Sequence, residues 1–160
     1  MSNTSLDLWP ENLGQATLTS PAAILKRQAT LLADKTKGLL EATVRTQQLS
    51  AGSGSRKIRH SFVIVAPALG NYEYTLFWLD HPIQMYPLDL AVPIEGKQDM
   101  FTSKKCEDES QFVDALRGIL SGPHTIAVVD ALMAQSNALS SDAQMSPVDG
   151  DASPMTESTE

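Results

Sequence analysis

The chain has 160 residues, of which 42% are hydrophobic and 19% charged, and its formal net charge is −7. A chain of this length can form one domain with a real core, because a domain near this size buries about 70% of its unfolded surface. The acidic balance argues against non-specific binding to nucleic acid or to anionic membranes, since both are polyanions.

Targeting and redox signals are weak. No stretch approaches the roughly 20 apolar residues of a transmembrane helix. The N-terminus has neither the basic nor the apolar region of a signal peptide. Cys106 is the one cysteine, so no internal disulfide is possible. We therefore expect a soluble, cytoplasmic protein without a membrane partner.

The chain begins with a polar, irregular arm over residues 1–19, in which Trp9 either docks on the domain or belongs to a mobile terminus. Ser20 and Pro21 then predict the start of a helix over residues 21–37. Serine caps the free amides, and proline at the first helical position loses no hydrogen bond. Apolar residues recur at helical spacing up to Gly38, which suits the left-handed position after a helix end.

Three stretches then show the apolar–polar alternation or the β-branched and aromatic content of strands. They are residues 40–49, 57–66 and 72–80. Alternation places Ile58, His60, Phe62 and Ile64 on one face of the second strand. In the third strand it places Tyr72, Tyr74, Leu76 and Trp78 on one face, and Glu73, Thr75, Phe77 and Leu79 on the other.

A fourth strand is predicted over residues 83–90. It contains Pro87, which cannot donate to a hydrogen-bond ladder, so we expect this strand at an edge of the sheet or bent at the proline. Residues 97–105 predict a short fifth strand centred on Met100 and Phe101.

Two helices follow. Asp108 and Gln111 form a capping box that opens the first of them, and Gly122-Pro123 ends it and starts the second. Beyond Ser136 the apolar periodicity is lost. Residues 136–160 hold five acids and no Lys or Arg, which leaves a charge of only −2 for residues 1–135. We expect this acidic tail to be disordered, because it cannot bury enough apolar surface to offset its ordering entropy.

The element order predicts an α+β fold. Strands that are adjacent in sequence and joined by short loops form an antiparallel meander, here of four strands or of five if the last one forms. An N-terminal helix and two C-terminal helices cover one face of this sheet. The domain spans residues 20–135, between the irregular arm at residues 1–19 and the disordered tail at residues 136–160.

No catalytic or metal-binding motif is visible. His60, His81 and His124 lack metal-ligand spacing, and His60, on an apolar strand face, is more typical of a core histidine. Cys106 precedes a helix start that favours a thiolate, but the acids at residues 107–109 oppose it. We therefore expect no metal, no cofactor and no enzyme activity. A small enzyme whose carboxylates converge from remote positions is the third hypothesis.

The leading hypothesis is a small protein-binding module: an immunity protein, inhibitor, chaperone or complex subunit that binds another protein or a second copy of itself. It rests on an available edge strand and on aromatic residues suited to anchor an interface. The predicted partner-binding residues are Trp9, Arg56, Lys57, Arg59, Tyr72, Tyr74 and Tyr86.

The alternative hypothesis is a single-stranded nucleic-acid binder. In it, Arg56, Lys57 and Arg59 form a basic–aromatic surface with Tyr72 and Tyr74, because bases stack on aromatic rings beside a positive groove. The competing interpretation places these aromatic residues in the core of the sheet.

Overall fold

The computed structural model describes residues 7–14, 17–50, 52 and 54–143. It has an N-terminal helix, five strands and two C-terminal helices, which confirms the predicted α+β class. The elements are α1 (Pro21–Lys35), β1 (Glu41–Ser50), β2 (Arg56–Ala66), a 3-10 turn (Pro67–Leu69), β3 (Tyr72–His81), β4 (Leu88–Pro93), β5 (Phe101–Cys106), α2 (Glu109–Leu120) and α3 (Pro123–Asp142). Among these helices, none has the length and apolar character needed to cross a membrane.

The five strands lie in sequence order and every neighbouring pair is antiparallel. One face of the sheet, the inner face, carries the core with all three helices packed on it. Its buried side chains come from every layer, including Leu25 of α1, Phe62 and Ile64 of β2, Phe112 of α2 and Leu132 of α3. No described helix covers the opposite, outer face. The fold is therefore a two-layer sandwich of helices on a meander.

The helix ends are formed by side-chain caps. Ser20 Oγ accepts a hydrogen bond from the amide of Ala23 at 3.2 Å, and Pro21 occupies the first turn of α1. Asp108 caps α2 by accepting from the amide of Gln111 at 2.9 Å. Both caps satisfy amides that have no partner within their helix.

A β-bulge in the β2–β3 pair corrects the predicted faces of β3. Phe62 pairs with Phe77, whereas the next residue, Val63, pairs with Thr75, so one extra β3 residue is inserted. An extra residue reverses the alternation beyond it. Tyr74 and Leu76 share one face as predicted, and it is the inner face, but Trp78 pairs with Ser61 on the outer face. Phe77 and Leu79, predicted opposite Tyr74 and Leu76, belong to the core.

The predicted position of β4 is wrong. The strand is Leu88–Pro93, not residues 83–90, and Pro87 lies just before it. β4 pairs with β3 on one side and with β5 on the other, so it is not an edge strand. The sheet edges are β1 and β5, and β5 forms as a full strand of six residues.

α3 extends beyond the predicted domain boundary at residue 135. The helix continues to Asp142, and Ser136, the first residue of the predicted tail, is fully buried. The apolar stripe weakens there, but the helix continues as a mainly polar surface helix. The rest of the predicted tail, residues 144–160, lies outside the described residues.

Candidate functional site

α1 is separated from α2 and α3, and the space between them forms a groove of about 560 Å³. Its floor is the sheet at Phe62, Ile64 and Leu76, each of which is no more than 2% exposed. One wall is α1, and the other is formed by α2 and α3. The volume is within the range of about 300–1,000 Å³ that ligand sites usually have. We call this opening the helix groove.

The helix groove exists because α1 packs on a different part of the sheet from α2 and α3. α1 packs chiefly on β1, α2 on β5, and α3 on the 3-10 turn and β2. Leu25 and Ala29 are the buried residues of α1 that join the core, whereas Leu31 and Leu32 line the groove. The two walls are therefore held by separate contacts with the sheet.

The walls of the groove are mainly apolar and part of them is solvent-exposed. Leu31 on α1 is 41% exposed, and Ile126 on α3 is 51% exposed. Both residues line the groove. Contiguous apolar surface of this kind, bordered by polar residues, is typical of an interaction site.

Charged side chains border the apolar surface. Lys35 and Arg117 contribute two cations to the lining, and Asp130 contributes one acid. Arg117 pairs with Asp114 at 3.0 Å, but both side chains are about 70% exposed. A pair so exposed is worth at most about 1 kcal/mol, so Arg117 is available to a bound acid.

The predicted basic–aromatic surface does not form. Arg59 is opposite Asp80, near the end of β3, whereas Tyr72 is opposite Ala66 at the other end of the hairpin. Seven residues of strand, about 24 Å, separate the two positions. Antiparallel pairing always places the start of one strand beside the end of the next, so these clusters cannot meet.

Two of the three predicted basic residues are also paired with acids on neighbouring strands. Arg59 donates two hydrogen bonds to Asp80, at 2.7 Å each, and this contact raises the pKa of the guanidinium. The guanidinium carbon of Arg59 lies 5.4 Å from the ring centre of Trp78. Lys57 pairs with Asp89 at 3.2 Å. Arg56, the first residue of β2, is exposed.

The three predicted tyrosines have different environments. Tyr72 is 51% exposed. The hydroxyl of Tyr74 lies 3.0 Å from His124 Nε2, so it joins β3 to the start of α3, and partial burial raises its pKa. Tyr86 packs against the core with its hydroxyl buried, and desolvation raises its pKa to about 12. Tyr86 is therefore a structural residue rather than an exposed anchor.

Trp9 does not pack on the domain. It is 73% exposed, and its neighbours in the arm, Leu8 and Leu13, are 81% and 61% exposed. Its amide donates to the carboxylate of Asp7 at 3.0 Å, which forms a local turn. The side chain is thus available as an anchor for something outside its own domain.

Two histidines that are 21 residues apart in the sequence meet inside the protein. The Nε2 atoms of His60 and His81 are 3.0 Å apart, and the residues are only 5% and 4% exposed. Thr46 Oγ1 is 2.8 Å from His60 Nδ1, and the carbonyl oxygen of Pro82 is 2.6 Å from His81 Nδ1. His60 is therefore a satisfied core histidine, as its strand face predicts.

Cys106 is fully buried, and burial raises the pKa of its thiol. A protonated thiol is a poor nucleophile. Among the described residues, no group of three or more His, Cys, Asp or Glu side chains is arranged to hold a metal ion.

The sequence gives no direct sign of the helix groove or of the histidine pair. The groove depends on the spacing between helices, which periodicity within each helix does not encode. The histidine pair depends on the β2–β3 register, and a hairpin alignment that included the bulge would have revealed it.

Comparisons with protein-family models, curated proteins and solved structures found no significant match to this chain.

Proposed function

We propose that this protein is a small, non-catalytic protein-binding module of the cytoplasm, of the immunity-protein, inhibitor, chaperone or complex-subunit kind. Its binding site is the helix groove, and its partner is an apolar segment of another polypeptide. The observation that carries this proposal is the exposure of Leu31 and Ile126 above an apolar floor.

The shape of the groove favours an amphipathic helix. Two helical walls can hold a third helix whose apolar face packs on the exposed Leu31 and Ile126, which is a recurring mode of peptide recognition. Lys35 and Arg117 favour acidic residues on the flanks of that helix, because opposite charges at an interface rim guide association.

The energetic gain from such a partner lies in the exposed apolar surface. Full burial of a Leu or Ile side chain contributes about 1.5–3 kcal/mol. Leu31 and Ile126 are about half exposed, so burial of each by a partner would contribute roughly half of that free energy. These two side chains form the centre of the proposed interface, because the floor residues are already buried.

The test is site-specific crosslinking. A photoreactive amino acid replaces Ile126 in the groove, and in a matched chain it replaces Leu139, which lies on the same helix and is 48% exposed against 51% for Ile126. Irradiation is carried out in cells that make each chain, and the crosslinked peptides are sequenced. We expect an amphipathic, net acidic segment at position 126 and not at position 139.

A synthetic peptide of the crosslinked segment then provides the affinity measurement. We expect Ile126→Asp to weaken its binding at least about tenfold, because the substitution places a charge against the apolar face, and Leu139→Asp to leave binding unchanged. Equal crosslinking at both positions, or none at position 126, would argue against the groove as a binding site.

A further inference from the structure

The arm that precedes α1 carries an unusual density of exposed apolar side chains. Leu8, Trp9, Leu13 and Leu18 are between 61% and 81% exposed. Single apolar residues are common on protein surfaces, but four large exposed ones within eleven positions suit the arm for docking on an apolar surface. Trp is also among the residue types enriched as interface anchors.

The arm has local structure of its own. The amide of Leu13 donates to the carbonyl of Pro10 at 3.1 Å, beside the turn made by Asp7. Trp9 and Leu13 therefore flank a hydrogen-bonded turn at a spacing of four residues.

The charge of the arm complements the groove. Asp7 and Glu11 are its charged residues between positions 7 and 19, and both are acids. The groove lining contains Lys35 and Arg117 against the single acid Asp130. The arm is therefore an apolar segment with acidic flanks, which is the kind of segment that the groove favours.

The arm does not occupy the groove of its own chain. Trp9 is 73% exposed and Leu13 is 61% exposed. The chain enters α1 in an extended conformation at Ser20, with φ −75° and ψ 149°. The exposed side chains of the arm are therefore available to the groove of a second copy.

We propose that the arm of one copy docks on the helix groove of a second copy, with Trp9 and Leu13 against the exposed Leu31 and Ile126 and the acids beside Lys35 and Arg117. Two reciprocal contacts of this kind close a two-fold dimer. This inference rests on the proposed function, since it uses the same groove, and it names a second copy of the chain as the partner.

The test is sedimentation of the full chain over a range of concentrations. We expect a monomer–dimer equilibrium that Trp9→Ser and Ile126→Asp each weaken at least about tenfold. The matched substitution Leu139→Asp leaves the equilibrium unchanged. Reversal of one charge, by Glu11→Lys or Lys35→Glu, weakens the dimer, and the two reversals in one chain restore it.

A mixing experiment separates exchange between copies from docking within one copy. The W9S chain has an intact groove and a defective arm, and the I126D chain has the opposite. A mixture of the two forms a heterodimer with one good contact, which we expect to be tighter than either homodimer. Docking within one copy predicts no such recovery.

Several results would overturn the inference. One is a wild type that stays monomeric at every concentration, and another is a W9S chain that dimerises like the wild type. A third is a monomeric chain in which Trp9 is docked in its own groove. The fluorescence of Trp9, obtained as the difference between the wild-type and W9S spectra, would then be blue-shifted, and the I126D substitution would remove that shift. If position 126 crosslinks a different protein while the chain is monomeric, the proposed function stands and the arm exchange fails.

Discussion

The hydrogen bonds of the histidine pair can all form without a charged ring. The Pro82 carbonyl can only accept, so His81 Nδ1 carries a hydrogen. When both rings are neutral, His81 Nε2 accepts from His60 Nε2. His60 Nδ1 then accepts from the hydroxyl of Thr46. Every bond in this chain is satisfied when both rings are neutral.

This arrangement makes the stability of the protein depend on pH. Burial lowers the pKa of His60, with further contributions from His81 and from Lys26 of α1. Below the unfolded value of about 6.5, the unfolded chain takes up a proton that the folded chain resists. The free energy of unfolding is therefore fully retained above that pH and falls as the pH drops, by up to about 1.4 kcal/mol per pH unit per proton.

Urea unfolding between about pH 8 and pH 5.5 measures this slope. His60→Gln should flatten it, whatever its effect on absolute stability. The control is His124→Gln, which changes a histidine whose side chain is 38% exposed, and we expect the slope to persist there. An identical slope in the wild type and in H60Q would contradict the assignment.

The joint between α2 and α3 depends on the absence of a side chain at Gly122. A Cβ atom there would lie 2.9 Å from the carbonyl oxygen of Gly118 and 3.3 Å from that of Ile119. Both atoms belong to the backbone, so they can move only if the end of α2 moves. The hydroxyl of Thr125 also donates to the Ile119 carbonyl, at 2.6 Å, and tightens the same joint.

We therefore expect Gly122→Ala to lower the free energy of unfolding by about 1–3 kcal/mol, as overpacking usually does. Gly118→Ala is the matched control, because nothing lies within 4 Å of a Cβ at that position inside α2. There the change should raise stability by about 0.5–1 kcal/mol, since alanine is the better helix former. Denaturant unfolding of both variants measures the two changes in the free energy of unfolding, which should have opposite signs. A destabilised G118A or a neutral G122A would contradict the proposed role of Gly122 in the joint.

Elements with chemical start and stop signals are the ones that sequence predicts well. The caps at Ser20 and Asp108 are local, since each depends on residues within three positions. β4 lacks such a signal. Residues 83–86 look like the start of a strand, whereas β4 begins only at Leu88 and its pairing with β3 begins at Asp89. Pairing in the sheet, rather than local content, decides where β4 begins.

At the scale of the whole molecule, the two faces of the sheet have different roles. The inner face holds the core and the floor of the groove, whereas the outer face holds cross-strand ion pairs such as Lys57–Asp89 and Arg59–Asp80. Alternation predicts that two such faces exist and that the helices cover one. It does not predict how completely they cover it, because that depends on where α1 packs relative to α3. The groove therefore results from the way the helices pack on the sheet, which the pattern within each element does not encode.

The two-layer arrangement makes a final prediction for substitutions on the central strands. Ile64 on the inner face is 1% exposed, so Ile64→Ala should lower the free energy of unfolding by about 2–5 kcal/mol. Thr75 is exposed on the outer face, next to Val63 in the pairing. If that face is solvated, Thr75→Lys should change stability by no more than about 0.5 kcal/mol. Urea unfolding measures both effects. A large loss in T75K would mean that the outer face is covered in the native protein, since a lysine on open sheet surface keeps its hydration.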